Sequence, residues 1–123
     1  MDVFEVRLHQ ALNIAETVWI RIKPRGPGRA KVCVTAPDTL AVVLEEKFQQ
    51  RVRSGPPIAP FSRTPPQKRR THRVVERKRG QALCFGSDLR IRVLDIQYPR
   101  IVSLVLEGGD GLRVVVENNV PTH

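Results

Sequence analysis

The second half of this 123-residue chain repeats the first, and a repeat fixes architecture before any local pattern does. At a constant offset of 71, Gln10-Ala11-Leu12 falls on Gln81-Ala82-Leu83. The same offset pairs Val18, Ile20, Arg21 and Ile22 with Leu89, Ile91, Arg92 and Val93. It sets Arg29 on Arg100 and the apolar stretch 30–34 on 101–105. Val42-Val43-Leu44-Glu45 then matches Val114-Val115-Val116-Glu117 if one extra residue sits in the Gly108–Gly111 turn. Identity is low, but the order is kept and nearly gapless.

Each copy reads as short strands. Val18, Ile20 and Ile22 alternate with Trp19, Arg21 and Lys23, and Leu89, Ile91 and Val93 alternate with Arg90 and Arg92. That period of two puts apolar side chains on one face of a strand. Breakers follow at 24–28 and 97–99, then strands at Ala30–Val34 and Ile101–Leu106. Turns at Ala36-Pro37-Asp38 and Gly108–Gly111 precede last strands at Leu40–Leu44 and Leu112–Val116. Only the first copy adds a helix-like tail, Glu45–Val52, acidic at its start and basic at its end, as the helix dipole favours. The second copy ends in an Asn- and Pro-containing stretch that discourages a helix.

Units of about 50 residues bury too little apolar surface to be comfortable alone, so the two copies should share a core. Between them, residues 54–72 hold five prolines, four basic side chains and no acidic one. Proline removes backbone donors and favours extended chain, so this stretch reads as a linker, with Ile58 and Phe61 able to dock on a neighbouring surface. The module boundaries are therefore 1–53, 54–72 and 73–119. The whole chain has 21 Lys+Arg against 12 Asp+Glu, formally +9. Such a balance argues for a polyanionic partner, nucleic acid first.

Cys33 and Cys84 lie 51 residues apart with no Cys/His cluster around them, so neither metal nor redox chemistry is signalled and each reads as a buried free thiol. No apolar run is long enough to span a bilayer, and the N-terminus does not open a signal peptide; the expected location is the cytoplasm. No enzyme constellation appears. Glu45-Glu46 read as a helix start rather than an acid/base pair, and Gly108–Gly111 as a hairpin turn, since a strand and not a helix follows it.

Five short strands, an Ala-Pro turn before the last and then a Glu-Glu helix resemble the layout of the carbon storage regulator family. In the first copy the likeness rests on Ala11-Leu12 with Ile14, Val18–Ile22, Lys31–Pro37, Ala41-Val42 and Glu45-Glu46, running ungapped to about Arg53. In the second copy, Arg77-Lys78-Arg79-Gly80-Gln81-Ala82-Leu83 is similar to that family's basic, glycine-containing first hairpin. The resemblance implies a mainly all-β fold: two five-stranded modules exchange first and last strands in an intertwined pseudo-dimeric β-sandwich, with one short helix after the first copy. The 19-residue linker could reach on the order of 40–60 Å, enough for both halves of such a pseudo-dimer to form within one chain.

The resemblance also implies a function. Family members bind single-stranded or loop RNA carrying a GGA element and block translation, each site joining the first strand of one subunit to the last strand of the other. The family's first-strand arginine falls on Arg77, with Lys78, Arg79 and Val75 beside it. In the first copy that position is Val6, although Arg7 and Phe4 remain. The last-strand arginine is Leu44 in one copy and Val115 or Val116 in the other, with Arg113 the nearest basic residue. Lys68, Arg69, Arg70 and Arg73 adjoin Arg77 and raise the local positive potential, which strengthens RNA binding in a salt-dependent way. A solvated basic strand end is the plain alternative for Arg77 and its neighbours. Arg21 and Arg92 read equally as solvent-facing strand residues, and Trp19 as packing.

The leading expectation is thus a translational regulator binding an mRNA leader or small regulatory RNA, without cofactor or metal, as an asymmetric pseudo-dimer of a single chain. A second is a protein-interaction role, as partner or antagonist of ordinary family members, with GGA recognition weakened or lost. A third is general nucleic-acid binding through the linker.

Overall fold

Strand alternation and shared burial build two sheets. The computed structural model describes residues 2–61 and 69–118. The strands are β1 (Asp2–Arg7), β2 (Ala11–Ile14), β3 (Val18–Gly26), β4 (Arg29–Pro37), β5 (Val42–Leu44), β6 (Arg70–Lys78), β7 (Ala82–Phe85), β8 (Leu89–Gln97), β9 (Ile101–Gly108) and β10 (Val114–Glu117). A 3-10 turn (Glu45–Lys47) and helix α1 (Phe48–Ser54) follow β5. The described part is mainly β with a single short helix.

The strand order shows how the copies share their core. One sheet runs β1-β9-β8-β7-β5, the other β10-β2-β3-β4-β6, all pairs antiparallel. Each sheet takes its three central strands from one copy and both edge strands from the other. The inner faces meet in one core containing Leu12, Ile14, Ile20, Phe85, Leu89 and Leu104, each 1 % exposed or less. Burying a side chain of this kind contributes about 1.5–3 kcal/mol, which neither copy could collect alone.

The structure moves the extra residue of the second copy. Val93 pairs with Leu104 and Asp95 with Ser103, so Leu94 bulges out of β8 and is 47 % exposed. In β3 the corresponding pairs, Ile22 with Val32 and Lys23 with Lys31, follow without interruption. A β-bulge takes up one extra residue by leaving it unpaired and bending the strand locally. From β9 onward the copies therefore correspond at an offset of 72, and the Gly108–Gly111 turn has the length of its counterpart. Val116, opposite Leu12, is then the equivalent of Leu44, opposite Leu83.

The linker is shorter than the sequence suggests. Its first residue, Ser54, ends α1, and residues 70–72 extend β6 against Thr35–Pro37 of β4. Phe61 docks as expected, 3 % exposed, with its N–H donating to Asp88 Oδ1 at 2.8 Å. The chain at 59–61 passes so close to the β7–β8 turn that a Cβ on Gly86 would lie 2.8 Å from the Ala59 carbonyl oxygen. Gly86 also has φ +68°, so glycine suits this position on both counts. Cys84 is buried, and burial pushes its thiol pKa up; Cys33, in contrast, is half-buried on an outer face. No helix among the described residues is long and apolar enough to cross a membrane.

Candidate nucleic-acid interface

Strand exchange brings the first strand of each copy beside the last strand of the other. At one end of the sandwich β6 meets β5, and Arg73 Nη1 donates to the Val42 carbonyl. At the other end Asp2 of β1 shares a groove with Gly108–Leu112, the segment leading into β10.

Arg77 is not where the sequence suggests. In β6, Arg73, Val75 and Arg77 stand opposite Val34, Val32 and Ala30, all core-facing residues of β4. Arg77 therefore points inward and is 5 % exposed. Its guanidinium binds Glu46 in bidentate fashion at 2.8 and 2.7 Å and also donates to the Ala82 carbonyl at 3.1 Å. Both the RNA-contact expectation and its solvated alternative are corrected by this burial. The equivalent Val6 is 1 % exposed, so the position is internal in both copies. One fills it with a methyl-bearing side chain, the other with a clamped arginine.

Glu45 completes the clamp, binding Arg92 at 2.6 Å and Arg90 at 3.3 Å, while Glu107 holds Arg92 from the other side at 2.8 Å. Arg92 is thus half-buried within an ion-pair cluster, not simply solvent-facing. The Glu45-Glu46 pair therefore fastens the tail of one copy to strands of the other. The Arg77 guanidinium, chiefly through its hydrogen bonds, holds the Glu46 carboxyl down at about 2. The Arg92 hydrogen bonds likewise lower the pKa of Glu45 and Glu107. Hydrogen bonding to the charged form favours that form.

The other expected site residues divide. Val75 and Phe4 are half-buried and pack on the core, so neither offers a free apolar face. Arg79 is exposed but pairs with Asp95 at 3.1 Å. Lys78 and Arg7 are exposed at corresponding strand ends, their N–H groups donating to Gln81 and Gln10 side chains at 2.8 and 2.9 Å. Arg113 is exposed just before β10. Arg69 and Arg70 are exposed at the start of β6, with the Arg70 guanidinium over the ring of half-buried Trp19 at 4.4 Å. Lys68 lies outside the described residues.

The β5–β6 junction brings Lys47 and Arg51, which the sequence did not single out, beside Arg73, which it did. Val42–Leu44, Lys47, Gln50, Arg51, Ser54 and Arg73 line a shallow groove of about 400 Å³ with no carboxylate among them. Arg51 is held there by donating to the Pro56 carbonyl at 2.9 Å. The helix-dipole reading of 45–52 noted that this end is basic, but only the fold places it against β6. Across the molecule the groove of about 440 Å³ at the β1–β10 end is lined by Asp2, Glu107 and Asp110 and by no basic residue. Asp2 occupies the position of Arg73. The two ends of one pseudo-symmetric molecule therefore carry opposite charge.

No protein-family model matches the chain, and neither the curated proteins nor the solved structures give a match.

Proposed function

We propose that the chain is a cytoplasmic, post-transcriptional regulator that binds single-stranded or hairpin-loop RNA of the GGA type at the β5–β6 junction, one RNA per chain. The carrying observation is the charge difference between the junctions: Lys47, Arg51 and Arg73 at one, Asp2 and Asp110 at the other, where Glu107 is already paired with Arg92. A polyanion is attracted to the first and repelled by the second. Strands β5 and β6 each end a sheet, so both present unpaired backbone groups beside that charge. Such groups can read unstacked base edges, while lysine and arginine take phosphates. The family's last-strand arginine is absent, with Leu44 and Val116 in its place; Arg51 and Arg73 supply positive charge from neighbouring elements.

Binding of a GGA hairpin, a scrambled hairpin and duplex DNA at two salt concentrations tests this reading. The GGA hairpin should bind best and lose affinity as salt rises. Equal affinity for all three ligands would overturn specific RNA recognition. A chain that bound none of them would favour the protein-interaction reading, which the loss of both last-strand arginines supports.

A further inference from the structure

We propose that the outer face of the β10-β2-β3-β4-β6 sheet is a second contact surface for single-stranded nucleic acid, taking RNA that leaves the β5–β6 junction across β6. The inference rests on the RNA reading above and extends it. A groove of about 640 Å³ runs from the β1–β2 turn over β3 and β4 to β6. Arg21, Lys23, Lys31 and Arg73 line it together with His9 and His72, and no carboxylate does.

Lys23 and Lys31 stand directly opposite each other on the outward side of β3 and β4. Like charges in that position repel. Among the described residues neither lysine has an ion-pair partner: Glu76, opposite Lys31 on β6, pairs with Arg29 at 3.4 Å instead, so the lysine pair presents two close positive charges that no carboxylate holds. The fold does not require them. On the other sheet the equivalent positions are Asp95 and Ser103, also directly opposite each other. Glu107, which holds Arg92 there, is replaced here by Thr35, whose hydroxyl instead contacts His72 Nδ1 at 2.9 Å. The same surface has thus lost two acids and gained two lysines.

Apolar groups lie beside this charge. Val74 is 59 % exposed and Cys33 half-exposed on the floor of the groove. Phosphates beside lysines and base faces on aliphatic side chains use both features at once. An acidic peptide would use the charge, but continuity favours RNA: Arg73 lines both this groove and the junction groove. A strand bound at the junction reaches the outer face by crossing a single edge strand.

The test uses the full chain, a GGA-loop hairpin, and the same hairpin with a six-nucleotide single-stranded tail at either end. The variant combines Lys23→Asp with Lys31→Ser, residues the fold already carries at the equivalent positions. One tailed hairpin should bind wild type on the order of tenfold tighter than the bare hairpin. The variant should lose that gain, keep bare-hairpin affinity within about twofold, and melt no lower than wild type because repulsion is relieved. A bare hairpin that binds while neither tail adds affinity overturns the second surface and leaves the junction intact. A bare hairpin that does not bind at all overturns both readings. Polyglutamate that binds wild type as tightly as the tail, and is lost in the variant, overturns the choice of nucleic acid.

Discussion

The β5–β6 and β1–β10 junctions are built from equivalent strands, yet one is basic and the other acidic. Asp2 against Arg73 is the plainest exchange, and Lys23 against Asp95 repeats it on the outer faces. In a dimer of identical subunits both junctions must be the same, because one sequence serves each. Fusion removes that constraint. The core need not change, since Val6 and Arg77 both fill one inward position, but each end can take its own charge.

The largest expected effect breaks this difference directly. Lys47→Glu with Arg51→Glu should weaken RNA binding by about 100-fold at 0.1 M salt, since each lost contact is worth about 1–3 kcal/mol. Asp2→Asn with Asp110→Asn at the acidic junction should change affinity by less than about twofold, read in the same anisotropy titration.

The clamp comes next. Arg77→Ala should lower unfolding stability by about 2–3 kcal/mol in denaturant melts, because the Ala82 carbonyl loses its buried donor and a cavity is left. RNA affinity of the folded variant should stay within about threefold, the opposite of what an exposed RNA-contacting arginine would give. Arg77→Met with Glu46→Gln should cost less, since an apolar residue replaces both charges.

A smaller effect depends on pH. Glu46 has a pKa near 4.5 when unfolded and about 2 when clamped, so its contribution is fully present above pH 4.5 and is lost as pH falls towards 2. The carboxylate is half-exposed, and solvent screening keeps that contribution modest. Thermal melts across this range should converge for wild type and the Arg77→Met, Glu46→Gln variant at the acid end.

The smallest effect concerns the bulge. Deleting Leu94 should cost under about 1 kcal/mol, because Val93, Asp95 and Ile96 then alternate in, out, in as Ile22, Lys23 and Pro24 do. Deleting Gly109, where φ is +65°, should cost more in the same melts.

The repeat, the strands and the single helix were legible because period-two burial and an ordered self-match survive low identity. The site was only partly so. Sequence places Arg77 in a basic run, but its side is set by pairing with Ala30, a contact 47 residues away. Alternation with core-facing Val75, and the match to Val6, carried that signal. The partners of Glu45 and Glu46 lie in the other copy and leave no local mark. The position of the extra residue was ambiguous because a glycine-rich turn accepts insertions as readily as a strand edge does, and only the register of β8 decides between them.

Calorimetric titration of the GGA hairpin tests the central claim most directly. One RNA per chain, with affinity lowered about 100-fold by Lys47→Glu and Arg51→Glu together, is the predicted result. Two RNAs per chain, or a single site untouched by those substitutions, would contradict it.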